Sequence, residues 1–219
     1  MLRIAKVLDV HALGAIREAL ADRSLFEDGK LTAGWAAKAV KSNLQMQESK
    51  LERGLVAQIE HALMAHPVFV AAARPRNFIR TRISRYEPGM GYGWHTDDAV
   101  IEAARTDLAF TLFLSEPETY EGGELEIDES SGISEIKLPA GHAILYAATT
   151  IHRVAEIRAG YRLAAFGWVR SLVRSQDRRE ILFDLDLAIH SVFEREGKSE
   201  TFDRLSKTKS NLLRLWAED

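Results

Sequence analysis

Two periodicities divide the chain. Between residues 78 and 169, apolar and polar positions come in short alternating or fully apolar runs broken by glycine and proline, which is the pattern of strands. On both flanks the apolar positions recur every three to four residues, the spacing of one helix face. Residues 2–8 read as a short strand. Asp9 can then cap a helix over roughly residues 10–22, with Val10, Leu13, Ile16 and Leu20 on one stripe. Phe26-Glu27-Asp28-Gly29-Lys30 reads as a turn. From 31 to 47 no period is clean: Trp35 stands among small residues and lysines, and the segment reads as a strand pair or as a loop carrying Lys41, Asn43 and Gln45. A second helix is expected from about 49 to 65, with Leu51, Leu55, Ile59, Leu63 and Met64 on its stripe and Pro67 just past its end.

Strands are expected at 78–86, 108–114, 124–127, 135–138, 143–146, 152–157 and 162–169, with turns at Glu121-Gly122-Gly123 and Pro139-Ala140-Gly141-His142. Many short strands without helices between them predict a sandwich, barrel or jelly roll. Past Ser171, one helix is predicted by Ile181, Leu185, Ala188, Ile189, Val192 and Phe193 and another by Leu205, Leu212, Leu213 and Trp216, with Gly197 between. The expected class is α+β. A β core over 78–171 would be supported by a mixed helix and strand region at 1–77 and a helical region at 172–219. No repeat or low-complexity linker separates these parts, so the terminal helices are expected to pack on the β core.

At 219 residues and 46% hydrophobic, the chain can bury a full core. Its 29 Lys and Arg against 32 Asp and Glu leave a net charge of −3, which gives no electrostatic footprint for nucleic acid or an anionic membrane. Cysteine is absent, which excludes disulfides, thiolate metal sites and thiol nucleophiles and fits a reducing cytoplasm. No stretch approaches the roughly 18 apolar residues of a membrane span. The first residues lack the apolar core and cleavage site of a signal peptide. A cytoplasmic protein with neither nucleic-acid nor membrane partners is expected.

The candidate chemistry starts in the stretch from Arg85 to Asp98, a glycine-broken aromatic turn followed by His95-Thr96-Asp97. In an extended strand alternate side chains share a face, so His95 and Asp97 project together across about 6–7 Å of backbone. Together they make two thirds of a 2-His-1-carboxylate triad, whose open positions suit non-haem Fe(II) and oxygen. His152, opening a later strand, is the candidate third ligand; alone it would read as a core histidine bonded to backbone. Ten residues on, Arg162 shares a strand face with Ala164, Phe166 and Trp168. An arginine in an apolar row is costly unless it meets an anion, and its planar fork suits a carboxylate such as the far end of a 2-oxoacid.

His95-x-Asp97, His152 and Arg162 together resemble the Fe(II)/2-oxoglutarate-dependent dioxygenases, and more narrowly the bacterial PKHD-type hydroxylases, relatives of prolyl and lysyl hydroxylases linked with iron uptake. The resemblance runs over nearly the whole chain. It takes in Asp28-Gly29-Lys30-Leu31-Thr32-Ala33-Gly34, Lys41-Ser42-Asn43-Leu44-Gln45, Arg85-Tyr86, Gly89-Met90-x-Tyr92-Gly93-x-His95-x-Asp97 and Arg105-Thr106-Asp107-Leu108. It continues through Thr111-Leu112-Phe113-Leu114-Ser115, Gly122-Gly123-Glu124-Leu125, Leu138-Pro139-Ala140-Gly141, His152-Arg153-Val154, Gly160-x-Arg162 and Asn211-Leu212-Leu213-Arg214-Leu215-Trp216. It implies a double-stranded β-helix (jelly-roll) core flanked by helices, with His95, Asp97 and His152 on Fe(II) and Arg162 on the far carboxylate of 2-oxoglutarate. Tyr86 and Tyr92 match aromatic positions lining the pocket of prolyl hydroxylases. It also implies O2-dependent hydroxylation with release of succinate and CO2, and a use for ascorbate when iron oxidises.

Two positions depart from the family pattern. Asp98 stands where an asparagine is common, and alternation turns it away from His95 and Asp97. Phe113 stands near where prolyl hydroxylases place a carboxylate-binding tyrosine, so Arg162 would find its help from Thr111 or Tyr86. Lys41, Asn43 and Gln45 read as a solvated face more than as substrate contacts. His142 is expected to be exposed in its turn, and His11, His61, His66 and His190 to be surface or boundary residues. The stripe from Leu205 to Trp216 is expected to pack internally or to serve a homodimer. The substrate would be a protein side chain or a small molecule. A competing class is a non-catalytic cupin-like sensor of metal or 2-oxoacid, which Arg162 at its offset from His152 disfavours. A nucleic-acid demethylase is disfavoured by the acidic balance.

Overall fold

The computed structural model describes residues 1–32, 34 and 37–218, so Trp35, with Ala33 and Ala36, lies outside the described residues. Two antiparallel sheets carry the chain. The larger has seven strands in the order Leu2–Ile4, Ala143–Ala147, Leu108–Phe113, Arg162–Ser171, Pro75–Tyr86, Leu44–Met46 and Phe26–Asp28. The smaller runs Gly132–Ile136, Leu125–Glu129, His152–Val154, Gly91–His95 and Lys41–Ser42. Strands distant in sequence pair side by side, as the jelly-roll core requires. With helices at both ends, the class is α+β.

The strand pleat sorts side chains onto two cores. Leu108, Phe110 and Leu112 face a cluster with Ile16, Leu20, Ile59, Leu63 and Phe69, where the helices Val10–Ala19, Lys50–Ala65 and Pro67–Ala73 cover the back of the larger sheet. Ala109 and Phe113 face a second cluster with Tyr86, Leu125, Ile127, Tyr146 and Val154, between the sheets. Both faces of the Leu108–Phe113 strand are covered, which is why it reads as a continuous apolar run. Asp9 caps the first helix, its Oδ1 accepting from Ala12 N at 2.8 Å, and Ser49 caps the long one by accepting from Glu52 N at 3.0 Å.

Several expected elements are corrected. The expected turn at 26–30 begins with an edge strand, Phe26–Asp28. Pro67 does more than end a helix: it starts another, Pro67–Ala73, at the position where a missing N–H costs nothing. The expected strand at 152–157 is two, because after Val154 the chain leaves the smaller sheet and Ile157–Gly160 pairs with Tyr120–Gly122. The segment after Ala37–Val40 changes sheets midway: Lys41–Ser42 joins the smaller and Leu44–Met46 the larger. A hairpin, Val100–Ile101 with Ala104–Arg105, was not expected.

At the C-terminus the helices Gln176–Glu196 and Glu200–Trp216 meet at Gly197, whose φ of +65° suits glycine. Val173, Leu182, Ile189 and Val192 are buried. Asp186, on the first of these helices, takes ion pairs from Arg74 and from Lys209. No single helix among the described residues is long and apolar enough to cross a membrane.

Candidate active site

His95 ends the Gly91–His95 strand and lies directly opposite His152, the first residue of its own strand. The register shifts between His152 and Val154, a bulge that re-aims the strand end. Asp97 follows where the strand has stopped. His95 Nδ1 lies 2.8 Å from the Gly93 carbonyl and His152 Nδ1 3.0 Å from that of Thr150. A carbonyl can only accept, so each Nδ1 carries a proton and each Nε2 is the ring atom turned toward the centre of the cluster. His152 Nε2 is 3.9 Å from Asp97 Oδ1, and one ligand atom from each of the three residues falls within 4.8 Å of the others.

The electrostatics suit a cation. Burial, then the nearby His152 and Lys41, pull the His95 imidazole down to about 4, so it is neutral at pH 7 with its lone pair available. Burial pushes the Asp97 carboxyl above its ordinary range, against the pull of His152 and the Trp168 indole. Asp97 Oδ2 is buried without a hydrogen-bond partner among the described residues, the condition of a carboxylate that lacks a counter-charge. Two imidazoles and one such carboxylate fit a divalent, borderline-hard ion such as Fe(II).

The triad opens on a cavity of about 740 Å3 between the two sheets. Arg162 pairs with Tyr86 across the sheet, and strand alternation sends Arg162, Ala164, Phe166 and Trp168 into this cavity together. Arg162 is 2% exposed, and its guanidinium lies 5.3 Å from the centroids of both the Tyr86 and the Phe113 rings. Phe113 is thus an apolar wall for the cation. Thr111 and Tyr86 both line the cavity, with the Thr111 hydroxyl beside Tyr146 and the Tyr86 hydroxyl beside Asn43. A third hydroxyl, that of Tyr120, stands beside Arg162. Tyr120 Oη and Arg162 Nε are both buried without a partner among the described residues. Tyr120 comes from a strand that the motif does not touch, and nothing in its local sequence marks it.

The remaining predicted positions fall around this centre. Tyr92 stacks on the His95 ring, centroids 3.6 Å apart and planes 16° from parallel. Asp98 is exposed and lines the same cavity, because the strand ends at His95 and alternation no longer turns it away. Lys41, Asn43 and Gln45 are not a solvated face: they are 6%, 3% and 3% exposed and line the cavity. Their i, i+2, i+4 spacing was the available signal. His142 is half-buried rather than exposed.

Residues 81–170 match the 2OG-Fe(II) oxygenase superfamily, and residues 177–218 match the PKHD-type hydroxylase C-terminal domain. The chain is 48% identical to a PKHD-type hydroxylase of Maricaulis maris over 219 residues, all of both proteins. It is 50% identical to one of Parvibaculum lavamentivorans over 218 residues, 100% of this chain and 99% of that one. In fold it is similar to a Pseudomonas putida prolyl-4-hydroxylase, with TM-score 0.55 and 18% identity over 78% of this chain and 91% of that one. It is likewise similar to a Trichoplax adhaerens prolyl hydroxylase solved with a hypoxia inducible factor peptide fragment, with TM-score 0.60 and 14% identity over 83% and 86%.

Proposed function

The chain belongs to the PKHD-type hydroxylases of the 2OG-Fe(II) oxygenase superfamily, and from that premise we propose that His95, Asp97 and His152 hold its Fe(II) and Arg162 the far carboxylate of 2-oxoglutarate. The protein is a 2-oxoglutarate-dependent dioxygenase that hydroxylates an unidentified substrate. Bound Fe(II) supplies the O2-dependent oxidation that converts 2-oxoglutarate to succinate and CO2 and hydroxylates the substrate.

The chain's own groups bind, orient and exclude water. The Nδ1–H bonds to Gly93 and Thr150 fix both imidazoles, so their Nε2 atoms need no reorganisation on binding metal. Arg162, clamped between Tyr86 and Phe113, presents donors to a carboxylate in a dry setting where a charged hydrogen bond is strong. Tyr120 adds a hydroxyl to that end, and Tyr86, Tyr92 and Thr111 shape the pocket. Phe166, Trp168 and Val154 wall the cavity against water.

The reading extends to ascorbate as a reductant after uncoupled turnover, to a cytoplasmic setting, and to a small-molecule or protein side-chain substrate. The half-buried stripe of the last helix is the candidate homodimer face. One observation carries the core of it: three convergent ligand atoms and a buried arginine open on one cavity. The test is anaerobic titration with Fe(II) and 2-oxoglutarate, read by the weak visible band of a metal-bound 2-oxoacid, then oxygen and succinate detection. Wild type gives band and succinate; His152→Ala gives neither; Arg162→Ala gives succinate only at far higher 2-oxoglutarate. Equal behaviour of all three proteins would sink the assignment.

A further inference from the structure

We propose that Lys41 binds an oxyanion, a carboxylate or phosphate, carried by the prime substrate, so that this oxygenase selects anionic substrates. The proposal rests on the iron and 2-oxoglutarate assignments above and names the substrate chemistry of the same cavity. Lys41 stands on the segment that passes from the smaller sheet to the larger, where its backbone pairs with Tyr92. The pleat that buries Asn43 and Gln45 also turns Lys41 inward, and it is only 6% exposed. Its ammonium lies 5.5 Å from the Tyr92 ring centroid, and that ring is the one stacked on His95. The positive charge is felt at His95 itself. Lys41 therefore stands one aromatic ring away from the candidate iron.

Among the described residues, Lys41 and Arg162 are the cavity cations without an ion pair, and Arg162 is assigned to the cosubstrate. Arg80 pairs with Glu102 at 2.7 Å, and Arg82 with Glu48 at 3.2 Å and Glu52 at 3.4 Å. Arg162 faces the cosubstrate end. Among the described residues, no carboxylate lies within ion-pair distance of the Lys41 ammonium. Asp28, whose charge reaches it, is exposed and accepts from the Lys30 N–H at 2.9 Å. A buried ammonium without an anion is costly, and burial with Arg82 nearby depresses its basicity. An anion brought by the substrate removes that cost and is positioned by it.

The experiment titrates the anaerobic Fe(II)–2-oxoglutarate complex with benzoate, with benzamide and with inorganic phosphate, following the visible band. Wild type binds benzoate or phosphate at least about tenfold more tightly than benzamide, the worth of one charge-assisted hydrogen bond. Lys41→Met, similar in length but neutral, loses the preference, and Lys41→Arg keeps it. Phosphate ahead of benzoate supports the same subsite with phosphate as its anion. Equal affinities in wild type overturn the proposal. So does a Lys41→Met protein whose affinity for 2-oxoglutarate falls as much as for benzoate, since Lys41 would then serve the cosubstrate. A normal band without anion preference sinks this proposal alone, whereas absence of the band sinks the iron assignment and this proposal with it.

Discussion

At the scale of the residue, Lys41 is where stability and binding pull apart. Its ammonium is held down to about 8 from an ordinary 10.5. Between those two values the unfolded chain holds the extra proton, so stability rises with pH through that window. Below it the burial penalty is present in full. Lys41→Met is therefore expected to stabilise the metal-free protein at pH 7 by about 1–2 kcal/mol, an advantage that narrows as pH rises towards 10. Urea unfolding of both proteins at pH 7 and 9.5 checks it, and a constant gap would contradict the assigned cause. Arg162→Gln is expected to raise the KM for 2-oxoglutarate by about tenfold or more, with a smaller change in kcat. That His95, Asp97 and His152 converge was readable from a two-residue spacing together with the family resemblance, which also singled out Arg162. Lys41 and Tyr120 were not, since each reaches the site through pairing with a strand far away in sequence. Asp98 was misplaced because alternation was carried one residue too far.

At the scale of the element, Gly123 sets the floor beneath Arg162. With φ +68°, a Cβ there would meet Ile157 Cδ1 at 2.3 Å and Arg162 Cδ at 3.2 Å. Gly123→Ala is expected to cost about 1–3 kcal/mol and to raise the KM for 2-oxoglutarate several-fold by displacing the guanidinium, as steady-state kinetics would show. The Gln176–Glu196 helix is tied down by Asp186, shared between Arg74 and Lys209. Asp186→Ala leaves the half-buried Arg74 with only the Leu182 carbonyl to bond and is expected to cost about 1–3 kcal/mol in urea unfolding. The helices were readable because cap and stripe agree within one stretch of chain. The segment at 41–46 had no clean period because its two halves serve different sheets, and Phe26–Asp28 was hidden by the Asp-Gly pair that ends it.

At the scale of the whole molecule, the jelly roll cannot be cut from its flanks. Strands at Leu2–Ile4, Phe26–Asp28 and Leu44–Met46 extend the larger sheet, and three N-terminal helices cover its back. A fragment of residues 78–171 exposes that apolar face and is expected to lack cooperative unfolding, whereas the full chain unfolds in one transition. The β core and its helical cover were legible in the pattern; the sharing of strands between regions was not, because pairing partners leave no local trace. The segment spanning Lys41–Ser42 and Leu44–Met46 acts as a seam, hydrogen-bonded to one sheet and then to the other. This stretch of cavity wall cannot swing away while both sheets hold it, so it moves only by local unfolding. Amides from 41 to 46 are then expected to exchange with deuterium as one cooperative unit, and to slow together when a ligand fills the cavity.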